Sequence, residues 1–557
     1  MISYIVNNFT SREKIKLSLL IVLLVVVAAL EFLGIGAFSE LLRPNSDSAL
    51  ILSEMGLSLE GQSPKVVLGI LMALALVFKS LLSIIASKYQ AFMVYDHMTI
   101  LTLKLFKKYS IDALFNKANL DRNDATRTII REPRFMAGGL LAPFMNILSE
   151  LIVLVAIIFL LGATSLLGSV YGLVVGVVIV LTGLYFRKSL KVIGRNIQVA
   201  EGGRLRDVRY AISGSKDLYV NSMLPHLLGV YSGNVSILAK GLALQTYFRA
   251  IPRLVLESSG FIVIGSGSAY LYLTGVPAEE IISETVILVV IFLRMLPSFN
   301  RILINFQALS ANKAILDLIN DEMSEIRSTP ALYESRIFDS SFVSEAQDCS
   351  MNIEVQNLTF GYDEPLIEDL SCRFQPKSLT VISGESGVGK STLIDIILGL
   401  KSPESGIMLL NGVEVQKIDP LLHRIAYVPQ TPLIFDESLY RNITLLDDVN
   451  STVCEDRLKK AIQCACLEDI ITPENWHTRV GEAGEFLSGG QSQRLALARA
   501  IYSKCSLIIL DEITSALDIK TETKLIDNLK IIAKNATVIC ISHSQKVVER
   551  ADNIVSL

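Results

Sequence analysis

Long uninterrupted apolar stretches fill the first 320 residues, and shorter alternating or β-branched runs fill the rest. Six stretches in the first part are long enough to cross a bilayer: residues 15–42, 66–110, 126–161, 165–208, 227–274 and 281–321. A span needs about 20 apolar residues. Several of these are longer, so helices are expected to continue beyond the hydrocarbon. The first stretch is too long for the apolar region of a secretory signal and lacks a small-residue cleavage site, so it is expected to be a span. Residues 324–350 lose the pattern and read as a polar linker. From Met351 the alternation of Asn352 to Phe360, an Asn411-Gly412 hairpin turn and later βα units predict a soluble α/β domain. The resulting plan is a membrane all-α six-span domain over residues 1–323, the linker, and an α/β P-loop NTPase domain over residues 351–557.

Charge orients the spans. Lys104, Lys107, Lys108, Lys117, Arg122, Arg127, Arg131 and Arg134 lie between the second and third, and Arg187 to Lys216 supply eight more cations between the fourth and fifth. The short connections at 162–168 and 274–280 carry no basic residue. The excess of cations places the long loops and both termini in the cytosol. A mean hydropathy of +0.47 over 557 residues agrees with a large membrane fraction, and the net charge of −4 averages two unlike halves. All seven cysteines follow residue 340 without a pairing framework, which suits a reducing cytosol. Cys464 and Cys466 have no second pair or nearby histidine to complete a metal site. In the 44–64 connection, Ala49, Leu50, Leu52, Met55 and Leu57 have the spacing of a short amphipathic helix on the outer surface, or of an ordinary loop with apolar anchors.

The chemistry concentrates at Gly384-Glu385-Ser386-Gly387-Val388-Gly389-Lys390-Ser391-Thr392. This loop follows Leu379-Thr380-Val381-Ile382, expected to be a strand, and precedes an apolar helical stretch. That is the setting in which a glycine-rich loop turns its N–H groups around phosphate oxygens. Lys390 is expected to reach the β- and γ-phosphates of ATP, and Ser391 to ligate Mg²⁺. Five further signals follow the same logic. Tyr362 ends the first strand, where its ring could stack on adenine. Gln430 ends another, within reach of Mg²⁺ or an attacking water. Ser488-Gly489-Gly490-Gln491 opens a helix whose N-terminus can meet an anion. Asp511 and Glu512 end the apolar run Leu507-Ile508-Ile509-Leu510, Asp511 to hold hydrated Mg²⁺ and Glu512 to polarise water. His543 follows the last apolar strand, where its imidazole can bond the γ-phosphate or the water.

These motifs resemble the Walker A, signature and Walker B elements of ATP-binding cassette (ABC) proteins, and Ser515-Ala516-Leu517-Asp518 resembles their D-loop. Six spans followed by one cassette resemble an exporter-type half-transporter. The resemblance implies a homodimer in which each ATP lies between one chain's 384–392 loop and the other's Ser488-Gly489-Gly490-Gln491. It also implies no nucleic-acid partner, and relatives usually continue past the position of Leu557. Cations inside the spans point to cargo, because burying them in lipid costs several kcal/mol. Lys79, Arg253 and Arg294 are the cationic residues expected to bind it. Glu257 lies one turn from Arg253, whereas no acid lies within a turn of Arg294. The pattern resembles bacterial flippases of lipid-linked oligosaccharides used in protein glycosylation. That likeness implies a polyprenyl-pyrophosphate cargo, an anionic lipid-linked molecule moved across the bacterial cytoplasmic (inner) membrane. Export of drugs, lipid A-type lipids or peptides is the competing reading.

Overall fold

The computed structural model describes residues 1–42, 64–115, 121–164, 166–328, 351–361, 364–385, 387–415, 425–444, 455–472, 474–481, 484–514 and 517–557. The chain divides into two compact units, Met1–Thr329 and Pro330–Leu557.

The first unit is helical. A short helix α1 (Ile2–Asn8) leads into α2 (Ser11–Leu42), α3 (Pro64–Phe115), α4 (Ala142–Thr164), α5 (Leu166–Ser213), α6 (Leu224–Leu273), α7 (Ala278–Ala311) and α8 (Lys313–Ser328). At 1.5 Å per residue, the 52 residues of α3 extend about 78 Å, far more than the roughly 30 Å of hydrocarbon. Among the described residues, five helical stretches are apolar and long enough to cross a membrane, in α2, α3, α4 with its preceding turns, α6 and α7. The sixth expected span falls on α5, a 48-residue helix many of whose N-terminal side chains lie outside the described ones. The expected outer helix within 44–64 also lies outside the described residues. The expected linker begins later than its composition suggests, because α8 carries helix through Ser328.

The helices pack chiefly as pairs, α2 on α3, α5 on α6, and α7 on α4 and α5. Gly194 explains one close approach: a Cβ there would stand 2.4 Å from the carbonyl oxygen of Ala311, so only glycine lets α5 meet the end of α7. Pro297 within α7 donates no N–H, which frees the Leu293 carbonyl just before Arg294. Buried polar side chains pin α1 to the bundle. His97 lies between Tyr4 (2.9 Å from its hydroxyl) and Glu13 (2.7 Å from its carboxylate), and Glu13 also accepts from the Thr10 N–H and hydroxyl.

The second unit has two sheets. β1 (Ile353–Gly361), β2 (Pro365–Phe374), β4 (Ser405–Leu410) and β5 (Val413–Val415) form an antiparallel sheet in the order β2-β1-β4-β5. Asn411 and Gly412 join β4 to β5 with positive φ values of 53° and 84°, the conformation a two-residue hairpin turn needs. The larger sheet is parallel, in the order β6 (Ile425–Val428), β7 (Leu507–Asp511), β8 (Thr537–Ile541), β3 (Leu379–Ser383), β9 (Asn553–Ser556). Its central strands are buried on both faces, which is why they read as continuous apolar runs rather than alternating ones. One core lies between this sheet and helices that include α10 (Gly489–Tyr502) and α11 (Ile519–Ala533). The other lies towards α9 (Lys390–Ile397) and the antiparallel sheet.

Candidate nucleotide and cargo sites

Parallel strands deliver their C-terminal ends to one edge, and four neighbouring strands each bring a polar group there. The 384–392 loop leaves β3, Gln430 follows β6, Asp511 and Glu512 end β7, and His543 follows β8. The loop turns through Gly387 (φ 87°) and Gly389 (φ 107°), conformations that L side chains rarely adopt. A Cβ on Gly389 would also come within 3.0 Å of Ile367. A Cβ on Gly387 would meet nothing within 4 Å, so the loop's outer side is open.

Lys390 begins α9, is 7% exposed, and folds its ammonium back over the loop. It donates to the carbonyls of Gly384 (2.9 Å) and Glu385 (2.8 Å) and lies 3.1 Å from His543 Nε2. An ammonium only donates, so Nε2 is the acceptor in this contact. Glu512 stands at φ 50°, an uncommon conformation for a residue with a side chain. Its N–H donates to the Ile541 carbonyl, fixing the turn to β8. Gln430 donates to Glu512 Oε2 (2.7 Å), and His543 Nε2 lies 3.6 Å from Oε1. Gln493 of α10 donates to the Gln430 carbonyl (2.8 Å), tying the strand end that presents Gln430 to the signature helix. Tyr427 donates to Asp511 Oδ2 (3.0 Å). Burial raises the pKa of Asp511, with Glu512 and Asp395 adding to the rise and the Tyr427 hydrogen bond and Lys390 opposing it. Burial and the Asp511 charge likewise raise the Tyr427 phenol.

The residues fit a magnesium nucleotide. Ser391 is exposed at the start of α9, and Asp511 supplies a hard oxygen at the adjoining edge. Among the described residues no three His, Cys, Asp or Glu side chains gather to hold a metal alone, which suits an ion that draws other ligands from phosphate and water. Ser488 caps α10 reciprocally with Gln491: its hydroxyl accepts the Gln491 N–H (3.3 Å), and its own N–H donates to Gln491 Oε1 (2.7 Å). The N–H of Gly489 is approachable, since a Cβ there would meet nothing within 4 Å. Thr392 is buried behind the loop and Val388 half-buried in it. Tyr362, Ser386, Ser515 and Ala516 lie outside the described residues.

Within the helical unit, Lys79 of α3 and Arg294 of α7 meet at one carboxylate, Glu31 of α2. Lys79 Nζ lies 3.2 Å from Glu31 Oε2, and the Arg294 guanidinium bonds Oε1. The absence of an acid near Arg294 in sequence is thus corrected by one 263 positions away in the chain. Glu31, the single charged residue between Leu17 and Phe38, is the available signal, because an ionisable group inside a span is a functional candidate. Arg253 lies on α6, and its side chain is outside the described ones. Further along α7, Arg301 pairs with Glu150 (2.7 Å). Asn305 accepts from Asn146, itself bonded by Gln90 (2.7 Å), so polar groups recur along one face of α7.

Residues 367–515 match the family model described as ABC transporter. The mycobactin import ATP-binding/permease protein IrtB of Mycolicibacterium smegmatis is 37% identical over 210 residues, 37% of this chain and 36% of that protein. The ATP-dependent lipid A-core flippase of Pseudomonas aeruginosa is 36% identical over 218 residues, 38% of this chain and 36% of that protein. The chain thus spans 36% of the length of these curated relatives. A solved bacterial Atm1-family ABC exporter with ATP bound superimposes with a TM-score of 0.72 at 18% identity, covering 98% of this chain and 94% of that one. The chain therefore has the fold of an ABC exporter, a helical transmembrane region followed by a cassette, with the ABC transporter match at residues 367–515.

Proposed function

We propose that the protein is an ATP-driven transporter that moves an anionic amphipathic lipid from the inner to the outer leaflet of a bacterial cytoplasmic membrane. The convergence of the 384–392 loop, Asp511, Glu512, Gln430 and His543 at the C-terminal edge of one parallel sheet carries this reading. Mg²⁺, when bound, neutralises phosphate charge and polarises the γ-phosphate for displacement by water. Lys390, released from its carbonyl partners, binds phosphate oxygens. Ser391 and Asp511 would hold that ion. Glu512 accepts a proton from the attacking water, while Gln430 fixes that carboxylate through its 2.7 Å bond. His543 offers a hydrogen bond to the same region.

Two chains complete two sites. Ser488-Gly489-Gly490-Gln491 of one copy faces the phosphate loop of the other, so the protein works as a homodimer. With both termini cytosolic, hydrolysis takes place beneath the spans, and the spans respond by exposing the cargo site to the opposite leaflet.

The cargo reading rests on two cations from separate helices meeting inside an apolar bundle. Guanidinium favours phosphate geometry, and Lys79 adds a point charge. A polyprenyl-pyrophosphate-linked oligosaccharide, as used in protein glycosylation, supplies such a headgroup and a long apolar tail. A lipid A-type molecule supplies the same chemistry, and similarity to the Pseudomonas lipid A-core flippase favours that alternative. Reconstituted protein given each lipid with a quenchable headgroup label tests the choice. Protection of the pyrophosphate lipid alone supports the first cargo, and protection of the lipid A-type molecule alone replaces it.

A further inference from the structure

Glu31 has no part in the cargo reading so far, yet it is the most buried of the three groups. It is 2% exposed, whereas the side chains of Lys79 and Arg294 are 18% and 32% exposed in the single chain. The acid is therefore enclosed more deeply than the cations, which keep part of their surface exposed in the single chain. With one acidic and two basic side chains, the cluster has a formal net charge of +1 within apolar stretches of three helices. Arg294 uses part of its five-donor fork on Glu31 and retains donors for a second anion.

We propose that Glu31 is a positioning residue that sets how tightly the site holds phosphate. It aims Lys79 and Arg294 towards the open side of the bundle and cancels one of their two charges. A transport site must bind firmly enough to load and loosely enough to release, the constraint that governs any conducting site. Two unshielded cations in low dielectric would retain a phosphate headgroup through the cycle. Glu31 competes for the same donors, so release needs no outside anion. The ligand class is a lipid bearing phosphate or pyrophosphate. The inference rests on the cargo reading above for the site's use, but its charge arithmetic can be tested apart from it.

The test is a double-mutant cycle in full-length protein in proteoliposomes, reading lipid-dependent ATP hydrolysis. The probes are a polyprenyl pyrophosphate, a lipid A-type bisphosphate and an uncharged polyprenol. Glu31→Gln should lower the half-saturating concentration of phosphate lipid about tenfold, about 1.4 kcal/mol, and lower the maximal rate as release slows. Lys79→Gln should raise it by a similar factor. The double variant carries the wild-type net charge and should return to within about threefold of wild type. None of the three should shift the polyprenol response. Losses that add in the double variant, or equal shifts for polyprenol, would overturn the inference in favour of a purely structural ion cluster. If Glu31→Gln folds poorly, the double variant against Lys79→Gln alone still decides, since charge cancellation predicts recovery and a structural ion cluster predicts a further loss. A phosphate-lipid response gained by Glu31→Gln where wild type has none would sink the natural-cargo reading and leave the charge-setting role standing. No response in any of the four proteins would sink both.

Discussion

The nucleotide edge and the Glu31 cluster are built in opposite ways. At the nucleotide edge, each functional group follows the C-terminal end of a strand, and local sequence fixes both its position and its chemistry. Gly387 and Gly389 shape the loop, Lys390 opens the next helix, and Asp511 and Glu512 close an apolar strand. In the helical unit, Glu31, Lys79 and Arg294 come from three helices, and no local motif links them. A site made by backbone turns tolerates almost no substitution at the turn. A site made by side chains reaching between helices is adjustable by charge.

This contrast can be broken at several points. Glu512→Gln should lower ATP hydrolysis by about 100-fold or more while ATP binding persists, measured by phosphate release beside nucleotide retention. Near-normal release would show that another group accepts the proton. Arg294→Ala should remove at least about tenfold of the apparent affinity for phosphate lipids, the scale of charge-assisted hydrogen bonds. An unchanged lipid titration would separate the cluster from cargo. Gly389→Ala should cost about 1–2 kcal/mol of cassette stability and abolish nucleotide protection against thermal unfolding, because an L side chain is forced to φ 107° beside Ile367. Wild-type protection would mean that the loop can rearrange.

Asp511→Asn tests a trade between stability and function. Burial raises the folded pKa of Asp511 above its unfolded value, so the folded state binds more protons between the two values. Stability attributable to this carboxyl is therefore greatest at low pH, falls as pH rises through that interval, and levels above the folded value. Asparagine lacks the charge and should unfold at a higher temperature than wild type, by a margin that grows over the interval, while losing magnesium-dependent nucleotide binding. The smallest effect is expected for Tyr427→Phe, about 1 kcal/mol from one lost hydrogen bond, with the Asp511 pKa rising further. Unchanged titration of Asp511 would leave that bond without electrostatic consequence.

The helical-then-α/β architecture was legible because apolar runs at spanning length and buried parallel strands are both strong patterns. The strand–loop–helix around Lys390 was legible for the same reason, since each step is encoded by neighbours in the chain. The partners of these residues were not. Gln493 reaches Gln430 from the signature helix and Tyr427 caps Asp511, and both depend on which strands lie side by side. Glu31 is not legible as the partner of Arg294, because spacing pairs residues along one helix and not across three. The change from linker to helix through Ser328 was hidden by polar composition, although the α8 face carrying Ile315, Ile319 and Met323 packs into the helical core.

The most direct test of ATP-driven lipid translocation is flipping of a fluorescent polyprenyl-pyrophosphate saccharide in proteoliposomes, read as the fraction protected from an external quencher. ATP-dependent protection by the wild-type protein, absent with Glu512→Gln and weakened with Arg294→Ala, is the predicted result. Wild-type ATP hydrolysis that leaves this lipid and a lipid A-type molecule equally unprotected would contradict the account.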